Sequence, residues 1–202
     1  MNDLEQLDDL IIDDLKIYQR RDQFRFSFDA IALVHFCRFN GHYRYIDLGT
    51  GTGVLPLIGT SLGAGHMTGV EINDVMANLA QRSVTYNHKS DVISIVQGDY
   101  RTMSYHQFGP KPFDGVLVNP PYFDYHGGKV PGDSNLCLAL HDMCTTIDDV
   151  CKSASRLVKY KGYLWMVYSA PRLSELMASL ASTDFIIKRL RFIHGMIGKP
   201  AK

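Results

Sequence analysis

This chain of 202 residues has no excess of charge, no long apolar run and no closely spaced cysteine pair. Its 21 Lys and Arg balance 21 Asp and Glu. Such a balance gives no global field to draw in a polyanion and no acidic excess to keep the chain unfolded. A nucleic-acid partner would have to be met by a local patch. No apolar stretch approaches the roughly 20 residues that span a bilayer, so no membrane partner is expected. The opening MNDLEQLDDLIIDD is acidic and lacks the basic start and apolar run of a secretory signal, which points to the cytoplasm. The four cysteines agree: Cys37 stands alone, and Cys137, Cys144 and Cys151 recur every seven residues. Zinc sites favour closer pairs, so the stripe reads as a buried helix face and no metal is expected. Internal repeats and low-complexity tracts are also missing.

The length suits one domain with a full core and is short for two. A single domain over 1–202 is expected, with 1–40 as an N-terminal flank and helix and 41–202 as the core. Asp29 can cap a helix whose buried side is Ile31, Leu33, Val34, Phe36 and Cys37, ending near Asn40-Gly41. Strands are expected at 45–48, 66–72, 92–96, 113–118, 163–168 and 185–193. Helices are expected from Val54, over 74–88, over 138–158 and over 172–181. Pro56 is tolerated because the first helical turn does not need its N–H. Strands separated by helices imply parallel βαβ units, hence a doubly wound, mostly parallel α/β sheet. The longest irregular stretch, 123–135, is rich in Gly, Pro, Asp and His, and its length favours a functional loop.

Three strand ends carry acids. Asp47-Leu-Gly49-Thr50-Gly51-Thr-Gly53 joins the first strand to its helix, and its glycines let the backbone bend sharply under a ligand. A dinucleotide fingerprint places its third glycine one residue later, and an acid ahead of the first glycine would repel pyrophosphate. It suits a ligand carrying an ammonium group. Gly69-Val-Glu71-Ile72 ends the second strand with a carboxylate at the position that grips ribose hydroxyls in doubly wound nucleoside sites. Gly98-Asp99-Tyr100 ends the third with an acid able to accept from an adenine amino group. Glu71 or Asp99 taken alone could simply cap a following helix. Ligands in such sheets bind outside the carboxyl ends of the strands, where all three acids form one site.

These motifs resemble those of the class I S-adenosylmethionine-dependent methyltransferases. The resemblance implies S-adenosylmethionine as cofactor and S-adenosylhomocysteine as product. Asp47 would contact the methionine portion, with Gly49, Thr50, Gly51 and Gly53 beneath it. Glu71 and Ile72 would hold the ribose, and Asp99 with the Tyr100 backbone the adenine. Phe26 and Ser27 would fold over the methionine end.

The fourth strand runs into Asn119-Pro120-Pro121-Tyr122-Phe123. An amide or exocyclic nitrogen is a poor nucleophile because its lone pair is delocalised. Acceptors that hold both N–H hydrogens push it toward a tetrahedral shape and aim the freed pair at a methyl donor. The Asn119 side-chain oxygen and the Pro120 carbonyl can be those acceptors, and successive prolines stiffen the backbone that carries them. Tyr122 offers a face to a planar base, with Phe123 extending it, a stack worth about 1–3 kcal/mol. An ordinary Asn-Pro turn is the plainer alternative. The motif resembles that of amino methyltransferases acting on adenine, glutamine or guanine, and does not choose among them.

The segment from Gln19 to Phe26-Ser27-Phe28-Asp29, the NPPYF run, Leu140-His141-Asp142 and Arg189 to Gly195 together resemble bacterial tRNA adenine-N6 methyltransferases that modify the purine beside the anticodon of a valine tRNA. That implies tRNA as partner. Candidate RNA contacts are Arg20, Arg21 and Arg25, then Lys188, Arg189, Arg191, Lys199 and Lys202. Basic residues of this kind also serve as an ordinary solvated face. The stretch before the long helix departs from the family's Arg-His-Glu pattern, and the last strand of such sheets, set between the fifth and sixth, has no counterpart in the sequence. Alternatives are a glutamine methyltransferase, which would carry a larger helical region ahead of the sheet, a guanine-N2 enzyme acting on ribosomal RNA, and a non-catalytic RNA-binding factor that keeps the pocket.

Overall fold

A computed structural model describes residues 4–23, 25–120 and 145–201. Alternation along each strand sorts side chains onto two faces, and the chain uses both. Five parallel strands, β3 (Arg44–Leu48), β4 (His66–Glu71), β5 (Ile93–Gln97), β6 (Phe113–Val118) and β7 (Val158–Met166), form a sheet in the order β5-β4-β3-β6-β7. Tyr45, Met67, Ile93 and Leu117 belong to one core cluster, shared with α1 (Phe28–Phe36), α2 (Val54–Ser61) and Val84 of α3 (Asp74–Tyr86). Ile46, Leu48, Val70, Val116 and Val118 belong to the other, covered by α4 (Ile147–Leu157), with Leu176 and Leu180 of α5 (Leu173–Ala181) packed against it. This is the doubly wound α/β sheet that the alternation of elements implies. The strand order turns back between β3 and β6, so a crevice opens beyond their carboxyl ends.

A hairpin precedes the sheet that periodicity did not suggest: β1 (Glu5–Asp9) pairs antiparallel with β2 (Lys16–Arg20). Its inward residues include Ile17 and Gln19, and a buried Gln breaks the apolar alternation that marks a strand. It docks on α3 through specific polar contacts. The Tyr18 N–H donates to Ser83 Oγ at 2.9 Å, and Asn87 accepts from the Lys16 N–H at 2.9 Å while donating to the Lys16 carbonyl at 2.6 Å. Arg82 sits 4.4 Å over the Tyr18 ring and bonds both Glu5 carboxylate oxygens at 3.1 and 2.9 Å.

Several boundaries differ from those read off the sequence. Ser27, not Asp29, caps α1; its hydroxyl accepts from the Asp29 N–H at 3.3 Å, and the helix ends at Phe36, before Asn40-Gly41. α4 begins at Ile147 behind a capping box of Thr146 and Asp149, whereas a helix from residue 138 was expected; residues 138–144 lie outside the described ones. β7 starts at Val158 and ends at Met166. The expected strand at 185–193 does not form a ladder: the stretch carries no strand assignment, and Ile186, Leu190 and Phe192 are exposed. Strand composition is present there, but a strand also needs a neighbour to accept its hydrogen bonds. β7 is therefore an edge of the described sheet, and near its start Tyr160 is 89% exposed. Cys151 is buried on α4, as the cysteine stripe suggests; Cys137 and Cys144 lie outside the described residues. No described helix is long and apolar enough to cross a membrane.

Candidate active site

The glycine turn is tied to the neighbouring strand at several points. The amides of Gly49 and Thr50 both donate to the Val70 carbonyl at 2.9 Å, and the Gly51 amide donates to Glu71 Oε2 at 2.8 Å. Gly49, Gly51 and Gly53 all hold positive φ, of 73°, 58° and 87°, which side-chain-bearing residues rarely adopt. Among the described residues a Cβ at Gly49 would meet nothing within 4 Å, so toward them the turn presents bare backbone.

Behind the turn lies Asp47. It is fully buried, and neither of its carboxylate oxygens has a hydrogen-bond partner among the described residues; the Thr50 hydroxyl is likewise buried and unpartnered. Burial pushes the Asp47 carboxyl up to about 7, opposed by the nearby Thr50 hydroxyl, which makes no well-formed bond, and Glu71 adds to the rise. Gly69 lies beside Asp47 in the β3–β4 register, where a Cβ would come within 2.7 Å of Thr50 Oγ1; its missing side chain lets Thr50 fold over the strand end. A buried acid with no partner costs free energy unless a cation reaches it or it takes up a proton. The site thus fits an ammonium-bearing ligand and is a poor fit for pyrophosphate.

Glu71 is 4% exposed, with Oε2 on the Gly51 amide and Oε1 on the Asn73 amide at 2.9 Å. It therefore braces the N-cap of α3, a duty its place ahead of a helix allowed from the sequence, and the glycine turn as well, which the sequence did not reveal. The Gly98 amide donates to the Glu71 carbonyl at 2.8 Å, which brings the next strand end alongside. Asp99 follows, gripped by Arg101, with half-buried Tyr100 between them packed against the core. Ile72 is half-buried at the end of β4.

β6 pairs with β3 in the register Leu48↔Val118, so Asn119 emerges next to Gly49 across the crevice. Asn119 is half-buried and Pro120 buried. Pro121, Tyr122 and Phe123 lie outside the described residues, as do His126 and the Leu140-His141-Asp142 segment. The fold therefore brings Asp47, the glycine turn, Glu71, Asp99 and Asn119 to one end of the sheet.

The remaining candidates separate into two groups. Phe26 is half-buried against the core, and its amide donates to the Gln19 side-chain oxygen at 3.3 Å; the Ser27 hydroxyl is engaged in capping α1. Arg20 is forked onto Asp22 at 2.9 and 2.7 Å, Arg21 reaches Gln6 at 3.5 Å, and Arg25 meets Asp8 at 3.0 Å. Arg189 and Arg191 gather at the other end of α1, their guanidinium carbons 4.1 and 5.3 Å from the Phe36 ring centre, with Arg189 also donating to the Phe36 carbonyl. Arg25 lies two residues ahead of the Ser27 cap of α1, and the nine residues of that helix, about 13 Å long, lead from there to Phe36. The sequence reading missed Gln19 and Arg101; an Asp-x-Arg spacing after a strand end was the available signal for the second.

Comparison with known proteins gives this site a context. Over 175 residues the chain is 24% identical to a tRNA1(Val) (adenine(37)-N6)-methyltransferase from a Shewanella species, covering 87% of this chain and 73% of the relative. Another protein of that name, from Bacteroides thetaiotaomicron, is 29% identical over 69% of this chain and 57% of its own length. Among solved structures, a tRNA (m1A58) methyltransferase from Aquifex aeolicus superposes with a TM-score of 0.57 at 13% identity, over 81% of this chain and 56% of that one. A predicted O-methyltransferase from Agrobacterium tumefaciens gives 0.56 at 21% identity, over 76% and 67%. Both show the shared fold. A family model described as a methyltransferase domain matches residues 39–198, most of the chain, and the protein belongs to that methyltransferase family.

Proposed function

We propose that this protein transfers a methyl group from S-adenosylmethionine to the exocyclic N6 amino group of an adenine in tRNA. The observation that carries the reading is Asp47: a fully buried carboxyl with no hydrogen-bond partner among the described residues, behind the glycine turn and at the crevice where Asn119 emerges. The cofactor, when bound, supplies a methyl group on a positively charged sulfur. Asp47 would balance its ammonium, Glu71 would accept from ribose hydroxyls while keeping the turn braced, and Asp99 would accept from the adenine amino group. The target nitrogen would be held by the Asn119 side-chain oxygen and the Pro120 carbonyl, with Tyr122 stacking on the target base. Pro121 would stiffen that clamp, and Phe26 with Ser27 would border the cofactor's amino-acid end. The relatives named for tRNA adenine-N6 methylation support the choice of acceptor.

The test is methyl transfer to unmodified bulk tRNA, with nucleosides identified by mass spectrometry. N6-methyladenosine is the expected product, and Asn119→Ala should lower turnover by about 100-fold or more while still binding cofactor. N2-methylguanosine, or label appearing in glutamine of a protein instead, would overturn the choice of acceptor. Full activity in Asn119→Ala would remove the clamp.

A further inference from the structure

Arg101 holds Asp99 with a complete fork. Its Nε lies 2.9 Å from Oδ1 and 3.0 Å from Oδ2, its Nη2 lies 2.7 Å from Oδ2, and its own backbone amide donates to Oδ1 at 2.9 Å. The turn beneath is held as well. The Thr102 amide and hydroxyl both donate to the Asp99 carbonyl, at 3.0 and 2.9 Å. From α4, Arg156 Nη2 donates to the Arg101 carbonyl at 2.6 Å and to Ser153 Oγ at 3.1 Å. The Asp99 and Arg101 side chains are only 25% and 22% exposed, so the pair is partly shielded from water. A planar guanidinium on both oxygens fixes the plane of the carboxylate as well as its charge, which a point charge would not do.

That fixed plane has a chemical use. A carboxylate only accepts hydrogen bonds; a 6-amino purine donates there, whereas a 6-oxo purine offers another acceptor. A freely rotating Asp could turn away from an oxo group and tolerate it. A pinned one would confront it with opposed lone pairs. We infer that Arg101 is a positioning residue for base selection, locking the Asp99 carboxylate so that the site takes an adenosine-bearing ligand and rejects its inosine counterpart. The inference rests on the proposed adenosine site and names what sets its selectivity.

The experiment is calorimetric titration of the full chain with S-adenosylhomocysteine and with S-inosylhomocysteine, for wild type, Arg101→Ala, Arg101→Lys and Asp99→Asn. Wild type should prefer the adenosine ligand by on the order of 100-fold. Arg101→Ala should lower that preference by about tenfold. Arg101→Lys, which keeps the charge without the fork, should fall between. Thermal unfolding of each variant identifies any loss of fold, and if Arg101→Ala is unstable the Lys variant decides. An unchanged preference in the Arg101 variants, with Asp99→Asn losing it, would overturn the role of Arg101 and leave the adenosine site standing. Tighter binding of the adenosine ligand by Arg101→Ala would make the guanidinium a competitor for Asp99 and overturn it too. No preference in wild type, or one untouched by Asp99→Asn, would instead remove the adenosine site on which the inference rests.

Discussion

At Asp47 the sequence and the structure make the same statement in different ways. The sequence places an acid ahead of a glycine turn; the structure shows why such an acid is unstable on its own, being fully buried with no partner among the described residues. The stability consequence has a definite sign. The folded value is raised to about 7, above the ordinary carboxylate value. Between about pH 4 and pH 7 the folded state therefore holds a proton that the unfolded chain has lost. Stability without ligand should fall as pH rises through that window and level off above it. Asp47→Asn removes the dependence, so it should stabilise the ligand-free protein at pH 8 relative to wild type, by on the order of 1–4 kcal/mol, and far less at pH 4. Urea denaturation at the two pH values measures this. An equal effect at both would mean that another group sets the pH dependence. Residue chemistry of this kind was legible in advance because it depends on side-chain type and place in a motif. For Arg101 the Asp-x-Arg spacing was a weak signal, since the contact is made by the turn that folds it back onto Asp99.

At the scale of elements, what could be read was what repeats. The βα units between Arg44 and Val118 carry their own periodicity and caps, and the start of α3 at Asp74 and the strand 113–118 stand where expected. What could not be read depends on partners distant in sequence. The hairpin β1–β2 is held by α3, more than 60 residues away, through Ser83 and Asn87. The run 185–193 has strand composition, but no ladder takes it up among the described residues. Thr146 and Asp149 form a capping box that starts α4 at Ile147, inside the helix expected over 138–158. Asn87 offers a test of how the hairpin is held. Its side chain satisfies both the N–H and the carbonyl of Lys16, so Asn87→Ala should strand two backbone groups and cost about 1–3 kcal/mol. Hydrogen exchange should show β1 and β2 losing protection first while the central strands stay protected. Uniform loss across the sheet would mean that the hairpin is part of the global folding unit.

For the whole molecule, the balance of 21 basic and 21 acidic residues leaves RNA binding to local features. Of the arginines expected from the sequence as RNA contacts, Arg189 and Arg191 lie together over one ring at the end of α1, whereas Arg20 and Arg25 meet nearby carboxylates. Arg189→Glu with Arg191→Glu should weaken tRNA binding and flatten its dependence on salt by about two units of slope at most. Unchanged binding across a salt titration would assign these arginines to the solvated surface. The strand order explains why the crevice was legible without coordinates: a doubly wound sheet has one turning point, and here it falls between the glycine strand and the strand leading to Asn119.

The margin formed by β7 has a different consequence. Its outer side has no neighbouring strand among the described residues, its start displays Tyr160, and apolar side chains of 186–197 are also left exposed. A bare row of amides and carbonyls is a template on which any extended chain can be laid down, and greasy side chains increase its adhesion. Wherever no further segment covers this rim, edge-to-edge association in a crowded solution would begin there, not at the crevice between β3 and β6.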